Sequence, residues 1–182
     1  MYIPAMIVLI FHGSRDEEHN RQAIELARRL GYGYAFMEIE PRFKEGFGIP
    51  MFITDGADYR KAIEVATVKS PPLIRWPGFI NYLKSLQADL YIFHGPDYGG
   101  ELEKTGLPFA LLEGEPNIDY VDCVEKAAPV VLTRGYIYKK IAEKLRRCET
   151  QLLPPLVEQE GFVTYLRETL PVVLKSSGAA GI

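Results

Sequence analysis

Two histidines in this chain sit in the same local setting. Ile10-Phe11-His12-Gly13 recurs as Ile92-Phe93-His94-Gly95. In each, a continuous apolar run ends in an imidazole followed by glycine. A buried parallel strand has that character, and its carboxyl end is where open sheets bind ligands. Neutral imidazole is a ligand for borderline divalent ions such as Co²⁺ and Ni²⁺. It can equally donate to a neighbouring backbone carbonyl and order a turn, and the sequence leaves both roles open for His12 and His94. His19 falls one turn into a helix and reads as a solvated surface residue. Carboxylates recur as well, as Glu38 with Glu40 and as Glu113 with Glu115. The members of each pair share parity on a strand and so are expected on one side. A carboxylate at a strand end can accept protons if burial raises its pKa; in water before a proline it simply ends the strand.

The elements that must hold these groups are readable, and they come in two sets. Ala35–Pro41 recurs at Ala110–Pro116, Pro50–Gly56 at Pro129–Gly135, and the Pro71-Pro72-Leu73 to Lys84 segment at Pro154-Pro155-Leu156 to Arg167, at offsets of 75, 79 and 83. With the His-Gly offset of 82, these are four matches in one order. We read a tandem duplication, with halves at 1–88 and 89–175 and a flexible tail at 176–182. In the first half, strands are expected at Ile7–Phe11, Tyr34–Glu40, Pro50–Thr54 and Leu73–Arg75. Helices are expected from a Ser14–Glu17 capping box to Leu30, through Tyr59–Val65 and through Phe79–Leu86. The second half lacks the long helix after its His-Gly turn and is expected to carry one at Asn117–Ala127 instead. Strands alternating with helices imply an α/β fold, each half having a roughly four-stranded parallel sheet flanked by helices.

Composition narrows the chemistry. The 182 residues carry 21 basic and 24 acidic side chains, a formal net charge of −3, which argues against a nucleic-acid partner. No apolar run has the length of a membrane span. The apolar start lacks a basic n-region and a cleavage site, and reads as a core strand rather than a signal peptide. Cys123 and Cys148 lack CxxC spacing and read as lone thiols of a reducing cytoplasm, a disulfide being the less favoured reading. Seven Asn and Gln with 13 Pro lean towards a thermophile. There is no GxSxG elbow, GxGxxG loop, Walker loop or structural zinc spacing.

His12-Gly13-Ser14-Arg15-Asp16, Glu38-Ile39-Glu40-Pro41, Pro50–Gly56 and the Pro155–Tyr165 segment together resemble the class II tetrapyrrole chelatases, of the CbiX-type sirohydrochlorin cobaltochelatase kind. Larger members of that family fuse two α/β units around a cleft that binds the macrocycle. The resemblance implies insertion of a divalent metal, cobalt favoured and nickel next, into a sirohydrochlorin-type tetrapyrrole. No organic cofactor is implied, since the metal is itself a substrate. It implies His12 and His94 as metal-binding, and His12, Glu38 and Glu113 as catalytic, the glutamates accepting pyrrole protons. Ser14, Arg15, Arg60 and Arg134 are implied in binding a macrocycle with eight carboxylates, with Lys61, Lys139 and Lys140 adding charge nearby. The usual fate of such residues is a solvated helix face.

The family carries a second metal-binding histidine two residues after the third-strand glycine, where this chain has Asp58 and, in the second half, Ile137. Asp58 suits a hard ligand or, as favoured here, the N-cap of the following helix. Trp76, replaced by Gln159 in the second half, suits stacking on a planar ligand or capping the core.

The expected function is therefore a metal chelatase with a tetrapyrrole and a divalent ion as partners, neither nucleic acid nor membrane, acting as a monomer or homodimer in the cytoplasm. The alternative is a non-catalytic protein of the same fold that binds metal or tetrapyrrole. A third reading is unrelated chemistry on the same scaffold.

Overall fold

The computed structural model describes residues 6–179. Seven strands and five α-helices run in the order β1 (Val8–Phe11), α1 (Glu17–Leu30), β2 (Gly33–Phe36), β3 (Gly48–Pro50), α2 (Ala57–Val65), α3 (Phe79–Ser85), β4 (Leu90–Phe93), β5 (Phe109–Leu111), β6 (Lys126–Pro129), α4 (Tyr136–Lys144), β7 (Gln151–Leu152) and α5 (Glu160–Leu174). They form two wholly parallel sheets, of order β2-β1-β3 and β5-β4-β6-β7.

Strand alternation divides the apolar residues into three layers. Leu9 and Phe11 of β1, with Tyr91 and Phe93 of β4, face one shared core completed by α1, α3 and α5. Ile10 points the other way, with Ala62 of α2. Leu90 and Ile92 point the other way beneath Tyr138 and Ile141 of α4. Each sheet is thus covered on both faces, which is why its central strand can be apolar throughout.

The contact between α3 and α5 has the form of a two-fold. Phe79 packs on Tyr165 and Tyr82 on Phe162, while Phe79 meets Phe162 and Tyr82 stacks on Tyr165, all with ring centroids 5.8–6.3 Å apart. Residues 83 apart thus exchange roles, as in an isologous interface. Backbone bonds repeat in the same way. Leu73 and Ile74 donate to Phe52 and Ile53, and Leu156 and Val157 donate to Val131 and Leu132. Trp76 Nε1 donates to the Pro71 carbonyl at 2.8 Å, and Gln159 Nε2 donates to Pro154 at 3.0 Å. Trp76 is only 2% exposed, so it serves the core and not a ligand.

Several expected elements differ. Leu73–Arg75 is a single 3-10 turn, and the first sheet has three strands among the described residues. Leu73 and Ile74 do bond to the chain after β3, but Arg75 and Trp76 N–H turn back to the Pro72 and Leu73 carbonyls, which closes the segment into a turn. The expected helix at Asn117–Ala127 is a 3-10 turn, Ile118–Tyr120, followed by irregular chain and by β6. β6 takes Lys126–Pro129 for pairing with β4, and Cys123 is tied elsewhere. That tie is a disulfide to Cys148, correcting the expectation of lone thiols. It links the loop before β6 to the loop before β7, two strands that lie side by side. The cap of α1 is Asp16, which accepts from Glu18 and His19 N–H, and not Ser14. The cap of α2 is Gly56, leaving Asp58 within the first turn. Residues 176–179 of the expected tail belong to one further turn, Lys175–Ala179, in which Gly178 leaves helical geometry; 180–182 lie outside the described residues.

Candidate functional site

The carboxyl ends of β1, β3, β4 and β6 open onto one cleft of about 800 Å³. That is the size of a small-molecule site. His12 and His94, expected at equivalent strand ends, both line it, with Ser14 and Arg15 on the first turn and Asp58 at the start of α2. Apolar side chains, among them Met51, Phe52, Val131 and Leu132, make much of its floor.

His12 Nδ1 lies 3.2 Å from Glu38 Oε1 and 3.7 Å from Asp58 Oδ2. Its ring therefore meets two carboxylates and not a backbone carbonyl. Glu38 is itself held in place, its Oε2 accepting the Gly13 N–H at 2.7 Å. One ligand atom each from His12, Glu38 and Asp58 falls within 4.8 Å of the others, the one such group among the described residues. The three side chains are about half exposed, at 51%, 42% and 46%. An imidazole and two carboxylates converging from two loops and the first turn of α2 can chelate a divalent ion while leaving coordination positions open. Asp58 reaches this group because Gly56 takes the capping position.

The second half repeats the arrangement with one member fewer. His94 Nε2 lies 3.6 Å from Glu113 Oε2, both lining the cleft, and Ile137 stands where the first half has Asp58. His94 is not among the three converging ligand atoms. Gly95 fixes the turn behind His94: its φ is +77°, and a Cβ there would meet the Glu113 carbonyl oxygen at 2.1 Å.

The glutamate pairs do not stay on one side as strand parity suggested. β2 ends at Phe36 and β5 at Leu111, before either pair, so alternation no longer applies. Glu38 and Glu113 turn to the histidines. Glu40 instead accepts the Arg42 N–H at 3.1 Å, and Glu115 the Asn117 N–H at 3.3 Å.

The basic residues largely go elsewhere. Arg15 lines the cleft, but Arg60 pairs with Asp55 at 2.9 Å. Arg134 grips Glu158 with two bonds of 2.7 Å while lying 4.6 Å over the Tyr138 ring. Lys139 pairs with Asp16 at 2.8 Å. Arg60 and Arg134 are absent from the cleft lining, which holds Asp16, Asp58 and Glu113 beside Arg15. Arg134 and Lys139 satisfy partners distant in sequence, whereas the partner of Arg60 is five residues away. Ser14 lines the cleft, its hydroxyl accepting the Asp16 N–H at 3.0 Å.

His19 was missed as a site residue. It lines the cleft, and its ring bridges the His12 carbonyl and the Thr133 hydroxyl. Burial holds its pKa below the usual histidine value. Its position seven residues after His12, with no partner nearby in sequence, offered no sign of this.

No helix among the described residues is long and apolar enough to cross a membrane. Comparison with models of known families, with curated proteins and with solved structures finds no match to this chain.

Proposed function

We propose that this chain is a chelatase-like protein of two duplicated half-units. In this reading it holds a divalent ion, cobalt favoured, on His12, Glu38 and Asp58 and inserts it into a sirohydrochlorin-type tetrapyrrole in the adjoining cleft. The observation that carries the reading is the convergence of those three ligand atoms beside an apolar cavity of about 800 Å³. One imidazole and two carboxylates make a site that binds a borderline ion and can release it, as insertion requires. Two pyrrole N–H protons must leave as the ion enters. Glu113, beside His94, is the base this reading assigns to them. The recurring backbone bonds and the exchange of Phe79–Tyr165 with Tyr82–Phe162 support common origin of the halves. A cytoplasmic location accords with the Cys123–Cys148 bridge where the source is a thermophile, whose intracellular proteins carry disulfides.

The test is to mix protein, metal-free sirohydrochlorin and Co²⁺ and to follow the absorbance change of insertion. Acceleration over the uncatalysed rate, lost in His12→Ala, is expected. A wild-type rate equal to the uncatalysed one would overturn the catalytic reading.

A second reading is a non-catalytic metal-binding protein of the same fold. The pairing of Arg60 and Arg134 away from the cleft favours it, since a macrocycle with eight carboxylates calls for cations at the rim. Co²⁺ binding with no macrocycle binding would select it.

A further inference from the structure

His12, Glu38 and Asp58 lie in the first half of the chain, whereas the two most exposed aromatic rings of the cleft lie in the second. Six large apolar side chains are exposed among the described residues: Met6, Val65, Tyr98, Tyr120, Tyr136 and Val172. Two of them, Tyr98 and Tyr136, line this cleft, at 59% and 62% exposure. Tyr98 lies on the turn after β4 and Tyr136 is the first residue of α4. At the corresponding offsets of 82 and 79, the first half has Asp16 and Ala57. The first half lines the cleft with Phe11, Phe52 and Tyr59, but none of these is exposed as Tyr98 and Tyr136 are.

We infer that Tyr98 and Tyr136 form a stacking platform for the face of a flat conjugated macrocycle in the cleft that also bears His12 and Asp58. The inference rests on the reading above and adds the residues that select a planar ligand. Phenol rings standing in water lose little mobility and gain buried area when a planar π-system is laid on them. Stacking of this kind tolerates differences in ring substituents, because it reads the face and not the edge. Charge at the rim is arranged to suit. The Lys140 ammonium lies 5.7 Å from the Tyr136 ring centroid, and Arg15 lines the cleft. Both can meet peripheral carboxylates while the ring face meets the tyrosines. A division of labour follows: one half grips the metal, the other orients the ring that receives it.

A metal-free, water-soluble porphyrin with peripheral carboxylates is the probe, titrated into the full chain and followed by the shift of its Soret band. Co²⁺ affinity is measured separately on the same proteins. Tyr98→Leu and Tyr136→Leu should each weaken porphyrin binding about tenfold, the size of one lost stacking contact. The corresponding Phe variants should bind like wild type, and Co²⁺ affinity should stay unchanged in all four. Both side chains are largely exposed, so thermal unfolding should not move. Leu variants that bind the porphyrin as wild type does would overturn the platform and leave the chelatase reading standing. A wild type that binds Co²⁺ but no porphyrin would overturn the platform and the macrocycle reading together.

Discussion

His19 and Thr133, 114 positions apart, are joined by a hydrogen bond between imidazole Nδ1 and hydroxyl Oγ1. The other ring nitrogen, Nε2, bonds the His12 carbonyl oxygen. A carbonyl only accepts, so Nε2 carries the proton and Nδ1 accepts from the threonine hydroxyl. One side chain thereby ties the turn bearing His12 to the loop before α4. The ring is packed so closely that a Cβ on Gly135 would lie 2.9 Å from the His19 Cβ.

Thr133→Val keeps the shape and removes the hydroxyl, leaving a buried acceptor without its donor. The expected loss is about 1–3 kcal/mol, or a fall of roughly 2–10 °C in Tm for a chain of this size. Adding His19→Leu should cost less than the two changes summed, because they break one interaction. A double-mutant cycle by thermal unfolding checks this, and strict additivity would show the two residues uncoupled.

Replacing Asp58 by histidine should tighten Co²⁺ and Ni²⁺ binding, because a second imidazole suits borderline ions better than a carboxylate. His12→Ala and Glu38→Gln should weaken it, Glu38→Gln also loosening the Gly13 turn it holds at 2.7 Å. The visible absorption of bound Co²⁺, titrated against each variant, reads both directions. Unchanged titrations in His12→Ala would dismiss the site.

Acid should weaken the contact between the loop before α4 and the segment before α5. The Arg134 guanidinium bonded to Glu158 holds that carboxyl below its usual value of 4.5. With the folded-state pKa lower than the unfolded one, this contribution is present above about pH 4.5 and is lost as pH falls through the lowered value. The two side chains are 36% and 29% exposed, so solvent screening keeps the contribution to about 1 kcal/mol. Arg134→Ala should lower Tm near neutral pH and converge with wild type in strong acid. A gap of the same size at both extremes would contradict the linkage.

Reduction of Cys123–Cys148 should destabilise the chain. The bridge closes a loop of sequence separation 25, worth about 3 kcal/mol of unfolded-state entropy. Tm should fall by roughly 6–12 °C in reductant. Cys123→Ser with Cys148→Ser should reproduce the fall and make Tm insensitive to reductant. The bridge spans the far loops of the second sheet, so Co²⁺ binding should persist.

The central strands β1 and β4, with their His-Gly ends, were legible from sequence. Four apolar residues in a row, a turn and a repeated imidazole are local features, and local backbone chemistry enforces them. Glu38 and Glu113 were legible as candidates, since each stands three residues before a proline at a corresponding place. The caps were legible only as a region. Ser14 and Asp16 both have the chemistry of an N-cap, and backbone geometry chose Asp16.

Other assignments depended on neighbours far along the chain. His19 would face solvent on an isolated helix, and the loop around Thr133 covers it. Arg134 and Lys139 would suit a carboxylate-rich ligand, but Glu158 and Asp16 are already beside them. Cys123 and Cys148 carry no spacing signal, and the pairing of β6 with β7 brings their loops together. The sequence by itself determined an α/β chain with two parallel strand ends bearing His-Gly and nearby carboxylates, because periodicity and turn chemistry act within a few residues. Tertiary structure alone decided that Asp58 joins His12 and Glu38, that His94 stands with Glu113, and that the cations pair elsewhere. Ligand geometry and ion pairing depend on which faces meet in space, and a linear pattern does not record that.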